Sequence, residues 1–120
     1  MVIPSDRFNK IENIQMKKGL VYKKDKLAGI VWEDENGYSF QYHEDYLKNP
    51  IYGDVSKTLP LRLEVFTSST MIPFFDGLIP EGWLLQIAID NWKLNPRDRM
   101  SLLLTLCKDC IGDVSIINEK

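Results

Sequence analysis

The sequence predicts an α+β domain built on a small, mainly antiparallel sheet, packed with two to three C-terminal helices and closed by a last strand. Three observations predict it. Residues 19–42 hold short β-prone runs separated by polar turns. Residues 81–107 are rich in apolar side chains at helical spacing. Residues 114–117 (VSII) then return to β-branched composition. Runs of strands followed by helices favour segregated α+β architecture over alternating α/β.

The elements follow in order. Residues 1–18 are predicted to form an N-terminal arm or extension, and residues 19–120 the domain. GLVYK (19–23) and KLAGIVW (26–32) read as strands joined by the polar pair Lys24-Asp25. Asn36-Gly37 is expected to supply the two positive-φ positions of a type I′ hairpin turn. YSFQY (38–42) alternates, with Tyr38, Phe40 and Tyr42 on one face, and completes a meander. Residues 43–57 are acidic and punctuated by Pro50 and Gly53, and read as a loop. LPLRLEVF (59–66) alternates again and predicts a fourth strand, with Pro60 at its start or on an edge. Thr67–Thr70 reads as a polar loop.

The segment from Met71 to Gly82 is dense in proline, glycine and aromatic residues. A helix is predicted from about Glu81 to Leu94, with Pro80 or Glu81 in its first turn. Its apolar residues crowd almost every side, so it is either deeply buried or buried on one side and docked on another. Asn95 is expected to cap the next helix, with Pro96 at its first position and Asp98 in the first turn. Met100, Leu103, Leu104 and Cys107 form its core stripe.

A chain of 120 residues is one domain, able to bury a core without disulfides or metals. Hydrophobic residues at 44% and charged residues at 27% exclude disordered and fibrous classes. The net charge is −2, so a whole-domain nucleic-acid binder is not expected. The charge is uneven. Residues 1–26 carry seven basic and three acidic side chains, and residues 33–54 carry six acidic and one basic. This describes either two solvated faces or a field that helps dock a charged partner. No apolar run approaches the roughly 20 residues that span a bilayer. The chain is therefore expected to be cytoplasmic, with no membrane partner.

Candidate chemistry is sparse. Cys107 and Cys110 form one CxxC, but a zinc site needs about four ligands and His43 is the sole histidine. The first cysteine falls near a predicted helix C-terminus, where the dipole opposes a thiolate. Structural cysteines are expected. His43 has no nucleophile placed near it by any motif, so a solvated strand-end histidine is expected. No phosphate-binding loop, kinase catalytic loop or kinase metal motif occurs. Neither a cofactor nor catalysis is expected. Trp83, beside Gly82 at a helix start, either fills the core or projects as an interface anchor.

PFFDGLIPEGW (73–83), followed by NWKLNPRDRMSLLLTLCKDCIGDVSI (91–116), resembles the N-terminal subdomain of HipA-type serine/threonine kinases. Asp98, Met100, Leu102-Leu103, Asp109, Gly112, Val114 and Ser115 stand at the family's later positions. The early hairpin and Leu59-Pro60-Leu61 also fit, so the resemblance covers residues 19–117. The chain stops where such kinases continue into their catalytic core. A free-standing copy is similar to the HipS-like component of split HipB–HipS–HipT toxin–antitoxin systems. That resemblance implies a non-catalytic module that binds, and restrains, a separate HipA/HipT-like kinase, with a HipB-like DNA-binding protein in the same complex. It implies partner contact through Asp76, Pro80, Glu81, Gly82 and Trp83, with Trp83 near the kinase cleft. The alternative is the excised N-terminal subdomain of a longer kinase.

Overall fold

The computed structural model describes residues 17–107 and 113–119. The element order is β1 (Lys17–Lys23), β2 (Lys26–Asp34), β3 (Gly37–Tyr42), α1 (Glu44–Lys48), β4 (Phe66–Ser68), α2 (Pro73–Asp76), α3 (Gly82–Trp92), α4 (Arg99–Leu106) and β5 (Val114–Glu119). The five strands form one sheet in the order β4-β3-β2-β1-β5, and every neighbouring pair is antiparallel. The α+β class, the opening meander and the closing strand expected from the sequence are all present.

Alternation divides the sheet into two faces. Val21, Val31, Phe40, Tyr42 and Ile116 point inward and are buried. Helix α4 packs on that side, sending Met100, Leu102 and Leu103 into the core. At Gly19 the space a side chain would need is already taken by Leu104 and Ile116, at 2.6 and 2.8 Å. The missing side chain therefore lets α4 close onto β1. Phe40 is the hub of the aromatic core, with Tyr42 at 4.9 Å, Phe75 at 5.3 Å and Phe66 at 6.1 Å between ring centroids.

Tyr42 ties the long β3–β4 connection to the core. Its hydroxyl accepts from the Val55 backbone N–H at 3.0 Å and donates to the Leu59 carbonyl. Burial pushes its phenol up to about 12.

Several local expectations are corrected. The β2–β3 hairpin turns on Glu35-Asn36 rather than Asn36-Gly37, because Asp34 and Gly37 are the paired flanking residues. Gly37 has φ 126° but Asn36 is not in the positive-φ region, so the turn is not type I′. The Asp34 carboxylate instead holds the turn by accepting from the Asn36 N–H at 2.9 Å. A side chain at Gly37 would also run into the Ser68 carbonyl of β4.

Residues 43–57 are not wholly loop. His43 caps the short helix α1, its Nδ1 accepting from the Asp45 N–H at 3.2 Å. Glu44 and Asp45 lie in the first turn and Lys48 in the last, matching the helix dipole. Tyr46 is buried and stacks on Tyr42.

The strand expected over 59–66 is absent. Pairing begins only at its last residue, Phe66, opposite Phe40, and β4 continues through Thr67 and Ser68, which read as polar loop. Pro60 brings no N–H, and Arg62 donates to the Glu64 and Val65 carbonyls. That backbone is thus satisfied locally. Phe66, by contrast, has the Phe40 and Tyr42 rings to pack on.

Helix α4 starts at Arg99 with Asp98, not Asn95, as its cap. The Asp98 carboxylate accepts from the Ser101 N–H at 3.1 Å, the Ser101 hydroxyl at 2.8 Å and Lys17 Nζ at 2.6 Å. Asn95 serves the preceding turn, its side chain accepting from the Arg97 N–H.

Candidate docking surface

The proline- and aromatic-rich segment folds into a short helix, a tight turn and a longer helix. Pro73 opens α2 at a position where no intrahelical N–H is needed. Phe75 is buried against Phe40, and Ile79 is buried two residues past Gly77. The Ile79 N–H donates to the Asp76 carbonyl at 3.2 Å, and Cys107 Sγ donates to the Leu78 carbonyl at 3.3 Å. The turn is thereby fastened to the core from behind. Cys107 itself is buried at the end of α4, in keeping with a structural cysteine, while Cys110 lies outside the described residues.

Ahead of these anchors the chain runs outward. Pro80 is partly buried, and Glu81 and Gly82 are exposed. Glu81 is extended, with φ −125° and ψ 172°, and caps α3 without a side-chain hydrogen bond. Its carboxylate stands at the positive end of the helix. Gly82 adopts φ +64°, although open space surrounds it. Conformation, not crowding, calls for glycine there. Helix α3 therefore begins at Gly82, one residue later than expected.

Helix α3 ends at Lys93, which takes a left-handed conformation with φ 56°. None of its described side chains is buried. Leu85 leans on the core, but Ile87 is 45% exposed. The described part of the helix is thus not deeply buried. Gln86 and Asp90 bond across one turn at 3.1 Å on its exposed side.

The expected partner-facing residues divide into two groups. Pro80, Glu81 and Gly82 lie together in the protruding turn. Asp76 stands apart from them at the end of α2, where its carboxylate accepts from Arg99 Nε at 2.6 Å at the start of α4 and stays partly exposed. Trp83 follows Gly82 in the first turn of α3, and its side chain lies outside the described residues. Ile87 was not singled out from sequence. Its signal was the all-round apolar character of residues 83–92, which exceeds what one buried face needs.

Among the described residues no group of three or more His, Cys, Asp or Glu side chains could hold a metal ion. No helix among them is long and apolar enough to cross a membrane. His43 is committed to capping α1.

Comparison with known proteins supplies the context for this surface. Residues 19–117 match the family model described as the HipA N-terminal domain. A solved structure of the N-terminal domain of HipA toxin is similar at a TM-score of 0.60 and 26% identity, covering 87% of this chain and 93% of that one. An uncharacterized protein of Haemophilus influenzae is 30% identical over 105 residues, which is 88% of this chain and 95% of that protein. The kinase candidate Y4mE of Sinorhizobium fredii is 28% identical over 95 residues, 78% of this chain but 23% of its own length. The chain belongs to the HipA N-terminal domain family.

Proposed function

We propose that this chain is a non-catalytic docking module for a HipA-like serine/threonine kinase, engaging it through the Pro80–Trp83 turn and helix α3. The observation that carries this reading is the surface helix itself. None of the described α3 side chains is buried and Ile87 is 45% exposed, which supports a partner covering this helix. The segment leading into the turn is anchored by Phe75, Ile79 and the Asp76–Arg99 pair, which lowers the cost of presenting it. Family membership makes a HipA-like kinase the partner of choice.

In this proposal the kinase is separately encoded and the module restrains it, as part of a bacterial toxin–antitoxin system in the cytoplasm. Trp83, placed in the first turn of α3, is the residue assigned to reach toward the kinase cleft. A second reading is favoured by one observation. The matching region is 23% of Y4mE, so the same surface can instead pack against the remainder of a longer chain.

Co-expression with a HipA-like kinase lacking its own N-terminal domain tests the proposal. The module should co-purify and lower autophosphorylation, and Trp83→Ala should restore it. Co-purification with undiminished autophosphorylation would leave a structural partner and remove the restraint. No co-purification would favour the second reading.

A further inference from the structure

The opposite face of the sheet carries a second surface. Leu20, Ile30, Trp32 and Ile117 alternate with the core residues and are only partly buried. Leu20 stands opposite both Ile30 and Ile117, so the apolar side chains form a continuous row across three strands. A groove of about 360 Å³ opens on this face. Ile30, Trp32 and Leu63 form its apolar side, and Gln41, His43 and Glu44 its polar side.

We propose that this groove is a second docking site, for an extended segment of a protein partner that carries apolar side chains next to arginine or lysine. The walls are fixed before any partner arrives. Gln41 Nε2 donates to the Leu63 carbonyl at 2.9 Å, holding residues 61–65 beside β3 while Leu63 stays 53% exposed. His43 is locked by its capping bond through Nδ1, which leaves Nε2 as the ring's remaining hydrogen-bonding atom.

Charge decides the occupant. Glu44 is exposed and enters no ion pair among the described residues. Asp45 lies beside it and pairs with Lys48 at 3.9 Å. One nearby cation is committed elsewhere. Arg62 lies 3.7 Å over the Phe66 ring and donates to two backbone carbonyls. Lys18, on the same face, stands in register opposite Trp32 and enters no ion pair among the described residues. Glu44 thus sets an unpaired carboxylate against the apolar floor of Ile30, Trp32 and Leu63. A guanidinium suits both the Trp32 indole face and the Glu44 carboxylate. Helix α4 packs on the other side of the sheet, so the groove and the Pro80–Trp83 turn lie on opposite sides and can be occupied together.

Fluorescence anisotropy on the full chain tests this, using a fluorescein-labelled dodecapeptide that alternates leucine and arginine. Two control peptides replace arginine with glutamate or leucine with serine. The leucine–arginine peptide should bind, and both controls should bind at least roughly tenfold more weakly. Glu44→Lys and Leu63→Ser should each weaken binding by a similar factor, whereas Trp83→Ala should leave it unchanged. Circular dichroism of each variant confirms that the fold is retained. Equal binding by the serine–arginine peptide, or full binding by Glu44→Lys, would overturn the proposal. So would a wild-type dimer, seen by light scattering, that becomes monomeric on Leu63→Lys, because a second copy would then be the occupant.

Discussion

At Gly82 the backbone takes φ +64° with no neighbour to force it, and that single dihedral directs the chain out of the turn into α3. An L side chain there costs about 1–2 kcal/mol in the left-handed region. Gly82→Ala should therefore lower the melting temperature by several degrees, with each kcal/mol worth roughly 4–8 °C in a small domain. An unchanged melting curve would show that the turn relaxes freely. Tyr42 makes a different single-residue test. Its hydroxyl serves two backbone groups of the β3–β4 connection, and Tyr42→Phe leaves both buried and unmet. The expected loss is about 1–3 kcal/mol, measured by urea unfolding. The phenol's raised value, about 12, also has a sign. An unfolded tyrosine ionises near pH 10 while the folded one keeps its proton, so the wild type should lose stability between about pH 10 and 12. Tyr42→Phe should lose less over that window. The burial of Tyr42 was legible in the alternation of residues 38–42. Its two backbone partners were not, because they come from a segment 13 to 17 residues away whose path no local pattern fixes.

Among the elements, α4 and β1 are joined by a polar link that sequence spacing could not reveal. Lys17 and Asp98 are 81 residues apart, yet Nζ lies 2.6 Å from the carboxylate. Partial burial works against the Asp98 charge, but the bonds from Lys17 and Ser101 outweigh it and hold the carboxyl below its usual range. A lowered folded value stabilises the domain above the unfolded value near 4, and the gain is lost as pH falls through the folded value. Lys17→Ala should therefore move the acid-unfolding midpoint upward, as followed by circular dichroism. An unmoved midpoint would mean that the Ser101 cap alone sets the titration. Helix α3 makes the opposite kind of prediction. Ile87 is exposed, so Ile87→Asp should change stability by less than about 0.5 kcal/mol. The same change should weaken kinase binding.

The elements also show why sequence pattern succeeds in some places and fails in others. The meander was legible because adjacent strands share one hairpin, and local turn chemistry reports on both. The alternation of Leu61, Leu63 and Val65 misled because the same pattern can line an exposed flank. Leu61 and Leu63 are 38% and 53% exposed there. Strand β4 is decided by what Phe66 packs against, which lies in β3. Asn95 has a good capping side chain, but Asp98 wins because Lys17 arrives from β1.

For the whole molecule, the sheet separates two surfaces of different character. On the helical side, a seated turn and an apolar surface helix form the proposed kinase-docking site. On the other, an apolar groove edged by the Glu44 carboxylate suits a basic segment. The turn residues were legible from their unusual composition, and the groove was not. Its signal was the unbroken apolar run Leu27–Trp32, which supplies side chains to both faces of β2 where a one-sided strand would alternate. Kinase binding by the turn and α3 is open to isothermal titration of the chain into a HipA-like kinase lacking its own N-terminal domain. A saturable one-to-one complex, weakened at least roughly tenfold by Ile87→Asp, is the predicted result; no binding, or binding indifferent to Ile87→Asp, would contradict it.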